Sequence, residues 1–227
     1  MRKHIFLVLF LWIAISMQAQ QRIQAYLNAG AVLGQVEGDE LKGFNHCGFT
    51  GGVGAWVRLD DRDRWALAIE TDYSCRGISN HKSSSENYYN IQLDLHYVDI
   101  PVTLFFHDPY GGMQIGLGIS YSRLVAQPHG TVSYNPNYFI PDSNNMAFLK
   151  NDLAPAIEIR FAVWQSLKLS IRYQRSIIPI KKDWSFRMGD KIWSNNCYNS
   201  SVTLRLAWQF GEQYGKPYSK SHNKRKR

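Results

Sequence analysis

Apolar and polar residues alternate with period two along most of this chain, its connections alternate strictly between short and long, and several aromatic residues gather at one end of the strand segments. Together these features predict an all-β fold: an eight-stranded antiparallel up-and-down transmembrane β-barrel with short periplasmic turns and long outer loops.

The strands follow in order. Segments 24–34 and 47–58 carry weaker patterns. From Trp65 the alternation is plain, with Trp65, Leu67, Ile69 and Tyr73 set against Ala66, Ala68, Glu70 and Asp72. Segment 91–106 changes phase: Ile91, Leu93, Leu95 and Tyr97 hold one parity, and Val98, Ile100, Val102 and Leu104 the other. A bulge near 98–101 would account for both the slip and a proline inside a strand. In Met113–Leu124, Met113, Ile115, Leu117, Ile119 and Tyr121 oppose Gln114, Gly116, Gly118, Ser120 and Ser122. Small residues on that face suit a barrel whose eight strands leave just enough interior for side chains. Segments 153–163, 167–177 and 197–210 complete the set. The last places Tyr198, Val202, Leu204, Leu206, Trp208 and Phe210 on one face and Asn199, Ser201, Thr203, Arg205 and Gln209 on the other.

Connections 59–64, 107–112 and 164–166 are short. Connections 35–46, 77–90, 125–152 and 178–196 are long and polar. Seven connections make eight strands with both ends periplasmic, and the short and long sets fall on opposite ends of the barrel. Trp56, Trp65, Phe106, Trp164, Trp208 and Phe210 all lie near the expected periplasmic ends, where an interfacial girdle of aromatic residues belongs.

The ends of the chain set its destination. Arg2, Lys3 and His4 precede an apolar run over 5–17, and Gln18-Ala19-Gln20 offers a small residue for cleavage, the pattern of a secretory signal peptide. The organisation expected is a signal peptide at 1–19, a barrel at 20–211 and a basic, disordered periplasmic tail at 212–227. No later stretch approaches 18 consecutive apolar residues, as a spanning helix would require. Of the formal net charge of +8, two positive charges sit in Arg2 and Lys3 and five in the tail, leaving about +1 for the body. With no basic face for phosphates to track, nucleic acid is excluded as a partner.

Short motifs make the chain resemble the PorT-like outer-membrane barrels of the porin-family β-barrel group. They are the opening Tyr26-Leu27-Asn28-Ala29-Gly30, the aromatic-x-acid-Ile-Pro segment Tyr97-Val98-Asp99-Ile100-Pro101-Val102, Gly116-x-Gly118, Arg172-Tyr173 and the closing Trp208-Gln209-Phe210. The resemblance spans about 22–210. It implies an eight-stranded barrel in the outer membrane, and an accessory role in protein secretion as one functional option. The basic tail beyond Phe210 departs from such barrels, which end near the terminal aromatic residue.

The expected inner faces collect charge of both signs: Glu70, Asp72, Asp94, Asp99 and Glu158 against Arg160, Lys168, Arg172 and Arg205. Charges in a narrow interior must be paired and hydrogen-bonded, so they form either a network that plugs the lumen or rings lining a selective conduit. Asp99 is the expected central acceptor for Arg172 or Arg205. Cys47 and Cys75 lie about equally far from the 59–64 turn with equal parity, so they form a disulfide or stay free thiols. Cys197 has the opposite parity. His46, His81, His96, His107 and His129 stand in no nucleophile elbow, HExxH helix or cysteine–histidine metal spacing, so no catalytic residue, metal or cofactor is expected. Asp94 and His96 are expected to share the inner face. Tyr134, Tyr138 and Phe139 in the longest connection are the candidate loop contacts for a ligand or partner.

The sequence thus predicts a non-enzymatic integral outer-membrane barrel of structural or binding role. Outer-membrane lipid is its first partner, and envelope or secretion-system proteins are further candidates. A secretion accessory and a small solute conduit are the alternatives.

Overall fold

A computed structural model of the chain describes residues 23–39, 41, 43–60, 64–80, 89–108, 112–126, 128–134, 140–141, 147–164, 166–188 and 190–210. The expected signal peptide and basic tail lie outside these residues, as do His81, Tyr138 and Phe139; of Tyr134 only the backbone is described.

Eight long strands build the barrel: β1 (Ile23–Glu37), β2 (His46–Arg58), β3 (Trp65–Ser79), β4 (Tyr89–His107), β5 (Met113–Leu124), β8 (Asn151–Ala162), β9 (Leu167–Arg175) and β11 (Lys191–Gln209). Three shorter strands, β6 (His129–Tyr134), β7 (Ile140–Pro141) and β10 (Lys181–Met188), lie within the long connections. The long strands pair antiparallel in chain order. Then β11 returns to β1 in a ladder running from Tyr26↔Gln209 to Glu37↔Tyr198. The sheet closes on itself, and closure is what lets strands cross lipid, because no backbone edge is left unpaired there.

Two of the outer connections carry more structure than the sequence pattern suggests. Within 178–196, β10 folds back on the start of β11 as a hairpin with Trp184↔Asn195 and Phe186↔Trp193 in register, and β7 adds to its edge. Within 125–152, β6 pairs with the start of β4. The barrel wall therefore continues beyond the membrane as a collar of sheet.

That collar explains the phase change in β4, and the expected bulge is absent. Ile69 faces Val102 and Asp72 faces Asp99 in the same β3–β4 register, and the β4–β5 ladder runs unshifted from Tyr97↔Leu124 to His107↔Gln114. Pro101 offers no N–H, so its ladder to β3 lapses locally without slipping. Odd-numbered residues point inward along the described length of β4. What changes is the chemistry. Ile91, Leu93, Leu95 and Tyr97 are buried inside the collar, whereas Val98, Ile100, Val102, Leu104 and Phe106 face out from the membrane band. In lipid the apolar residues belong outside; in water they must turn in, where they join Val36, Ile78, Leu124, Phe148, Ile180, Trp184, Phe186 and Cys197 as a core.

The outward face of the band is bounded by aromatic residues. Trp65, Phe106, Phe161 and Trp208 lie at the turn end, Tyr73, Tyr121 and Tyr173 at the collar end, all exposed. Trp56 does not join the girdle. It is 1 % exposed and faces inward, where Gln24 accepts its indole N–H at 2.9 Å and the Lys168 ammonium lies 4.0 Å from its ring centroid. Its even number places it on the inner parity of β2 with Gly54 and Thr50.

Candidate functional site

Inside the membrane band the inward positions of β1, β3, β8, β9 and β11 converge at one level, and side chains from all five meet. Glu70 on β3 is the centre. It accepts from Tyr26 Oη at 2.5 Å, Arg160 at 2.5 Å, Arg172 at 2.8 Å and Arg205 at 2.8 Å. Glu158 on β8 accepts from Arg160 Nε at 2.6 Å, Arg172 Nε at 2.7 Å and Arg205 at 3.1 Å. Asp72 accepts from Arg205 at 2.9 Å and from the Asn28 amide at 2.8 Å. Three carboxylates and three guanidiniums thus neutralise one another, and none is more than 3 % exposed. Charge-assisted hydrogen bonds of this kind offset the cost of taking six ions out of water only because nearly every oxygen is used.

Two missing side chains make room for the layer. A Cβ at Gly54 would come within 2.4 Å of the Tyr26 ring, and one at Gly116 within 2.5 Å of Phe105. Arg160 lies between those two rings, 5.1 Å from the Tyr26 centroid and 4.2 Å from that of Phe105. The glycines of β2 and β5 therefore admit the aromatic faces that sandwich a buried cation.

The remaining candidates divide between this layer, its neighbours and the outside. Lys168 lies toward the turn end, donating to Gln114 at 3.2 Å. Asp99 is not the acceptor for Arg172 or Arg205. It sits one level nearer the collar, bonded to Arg76 and to Ser74 at 2.7 Å. With its amide oxygen turned toward the guanidinium, Gln174 accepts from Arg76 at 2.6 Å, and Arg76 stacks 5.2 Å from the Tyr97 centroid. Asp152 continues this second polar level, accepting from Ser176 at 2.8 Å and Asn199 at 3.2 Å.

Asp94 belongs to neither level. Like His96 it has the even parity of β4 and faces out above the tyrosine ring, where His46 Nε2 lies 2.7 Å from its Oδ1. His96 pairs instead with the Tyr73 hydroxyl, 2.8 Å from its Nδ1. No disulfide joins Cys47, Cys75 or Cys197. The β2–β3 register, in which Thr50 faces Ser74, puts Phe49 rather than Cys47 opposite Cys75. Cys47 is then a diagonal neighbour, exposed while Cys75 is buried. Burial, and after it the Asp94 carboxylate, pushes the Cys75 thiol up from its ordinary value.

Sequence reasoning did not name Tyr26, Asn28, Arg76 or Asp152 as interior partners, placed Asn199 on the polar face of the last strand without a partner, and gave His46 no role. The first five occupy the inward parity of their strands, so alternation alone would have placed them. Asp152 falls in connection 125–152 and Arg76 borders connection 77–90, because β3 and β8 extend further outward than their apolar pattern. His46 carries no such signal, because its partners come from two other strands.

Near the collar, between the end of β5 and the start of β8, a cavity of about 520 Å³ is lined by Arg123, Leu124, Val125, Pro128, Phe148 and Lys150. It joins two cationic side chains to apolar and aromatic walls.

No curated protein matches the chain. Among solved structures, the attachment invasion locus protein Ail of Yersinia pestis is similar at 13 % identity, with a TM-score of 0.43 over 83 % of this chain and 99 % of that one. Neisserial surface protein A follows at 14 % identity and a TM-score of 0.46, over 82 % and 97 %. OprG of Pseudomonas aeruginosa has 10 % identity and a TM-score of 0.40, over 83 % and 96 %. The model of the outer membrane protein beta-barrel domain matches residues 6–210. The closed eight-stranded wall, its apolar outer band and that match lead to one conclusion: the chain belongs to the outer membrane protein β-barrel family and resides in the outer membrane.

Proposed function

We propose that this protein is a closed, non-conducting barrel whose working surface is its outer end, with a binding rather than a catalytic role. The observation that carries the reading is the layer of Glu70, Asp72, Glu158, Arg160, Arg172 and Arg205. These side chains fill the lumen at mid-membrane and spend their hydrogen bonds on one another. An interior only wide enough for side chains leaves no continuous water path once it is occupied this way. Planar-bilayer recording tests this directly. The folded protein is expected to give no channel events under conditions where a porin does, and stepwise conductance would establish the conduit instead.

The collar is the surface left for recognition. The cavity lined by Arg123, Phe148 and Lys150 supports a ligand that joins an anionic group to an apolar or ring-bearing body. The accessory role in secretion is the second reading, favoured by the PorT-like segment 97–102. It predicts one stoichiometric envelope protein in a pull-down from gently solubilised membranes, whereas a self-sufficient binder comes down alone.

A further inference from the structure

We propose that His46, Cys75 and Asp94 form a binding site for a divalent zinc-type metal ion on the outer flank of the barrel, just above the tyrosine ring. One residue comes from each of the adjacent strands β2, β3 and β4, and their ligand atoms all lie within 4.8 Å of one another. A tetrahedral zinc ion holds nitrogen, oxygen and thiolate ligands about 2.0–2.3 Å from itself, hence about 3.3–3.7 Å from one another. The site reaches that geometry with shifts on the order of 1 Å: the 2.7 Å contact between His46 and Asp94 opens slightly and the thiol closes in.

The His46–Asp94 contact alone explains two of these residues, but it leaves other features of the place unexplained. His46 is 4 % exposed, and Nε2 is the ring nitrogen it turns toward Asp94. Its ring lies over Gly77, the residue opposite Asp94 in the β3–β4 ladder, and a Cβ at Gly77 would come within 2.9 Å of that ring. The glycine lets an imidazole from β2 reach across β3 to a carboxylate on β4. Cys75 points its sulfur into the same place although no cysteine partners it. The hydrogen-bonded wall fixes all three strands, so the donors are held in place before any ion arrives.

The donor set selects the ion. One imidazole nitrogen, one thiolate and one carboxylate suit zinc and its neighbours, whereas magnesium and calcium take oxygen ligands. On binding, the Cys75 thiol releases its proton to solvent, and thiolate and carboxylate together balance the charge of the ion. Asp94 is half-exposed and provides the approach from outside, and three protein ligands leave a fourth position for water.

Cobalt(II) titration of the folded, chelator-treated protein tests the proposal, because a cobalt-bound thiolate announces itself by a charge-transfer band in the near ultraviolet. One equivalent is expected to saturate the band, and zinc to bleach it. C75S is expected to abolish the band, D94N and H46A to weaken binding at least tenfold, and C47S to change neither, with heat-modifiable migration confirming that each variant is folded. No band at stoichiometric cobalt, or a band that survives C75S or vanishes in C47S, overturns the site. Should C75S fail to fold, alkylation of the native protein decides: zinc is expected to protect Cys75 from a thiol reagent while Cys47 reacts, and equal labelling of Cys75 with and without zinc refutes the proposal.

Discussion

Glu70 stands among three guanidiniums, and its removal would leave them only two carboxylates, Asp72 and Glu158, and one positive charge uncompensated inside the barrel. E70Q keeps the shape and removes the charge. The expected cost is about 3–5 kcal/mol, the loss that follows when one partner of a buried ion pair is deleted. It is read as a lower urea midpoint or a lower temperature for the loss of heat-modifiable migration. D94N separates position from charge. Asp94 lies outside the barrel wall and contributes nothing to the interior layer, so its variant is expected to hold the wild-type midpoint within about 0.5 kcal/mol. A large drop in D94N would place its carboxylate inside, against the burial described here. D99N falls between these two, because Asp99 compensates Arg76 alone among the guanidiniums. Its midpoint is expected to lie between those of E70Q and D94N.

At the scale of the element, the strands that the sequence made plain are those whose two faces meet opposite media for their whole length. β9 and the membrane part of β11 read clearly because Leu169, Ile171 and Tyr173, or Leu204, Leu206 and Trp208, meet lipid while Ser170 and Arg172, or Thr203 and Arg205, meet the interior. β4 was legible as a strand and misleading as a pattern. Its inner face is apolar in the collar and polar in the band, and periodicity records polarity rather than direction. The collar strands were hidden for a related reason. β10 turns Trp184 and Phe186 inward over few residues, among charged neighbours, and that is too short a run to stand out. The candidate charges were therefore found wherever the interior is polar, and Asp94 was misplaced where the polarity inverts. Trp184 also tests whether collar and barrel are separate in stability. Its side chain packs between Phe148 and Phe186. W184A is expected to cost about 3–5 kcal/mol in collar packing and to expose 181–192 to protease, while the barrel still migrates as folded. Loss of heat-modifiability in W184A would show the two parts to be one cooperative unit.

For the molecule as a whole, the outer end is the place where lipid, water and any partner meet, and the proposed plugged interior would tie that end to the membrane without linking the two compartments. Such a scaffold lets the collar change while the mid-membrane layer stays fixed, since the apolar core beyond Tyr97 and the ionic layer around Glu70 share few side chains. The distance between the aromatic rings has a further result. From Trp65 to Tyr73 the outward face of β3 runs about 26 Å along the strand, or about 20 Å across the membrane at a tilt near 40°. A hydrophobic belt that short matches a thin bilayer, so the protein must compress the lipid around it wherever the acyl chains are long. Spontaneous insertion into vesicles should accordingly slow as chain length rises from twelve carbons to eighteen, and in a mixed membrane the barrel should gather the shorter lipids to itself. The same belt would then act on its surroundings, making a locally thinned patch of membrane from which neighbouring barrels of similar height gain by association.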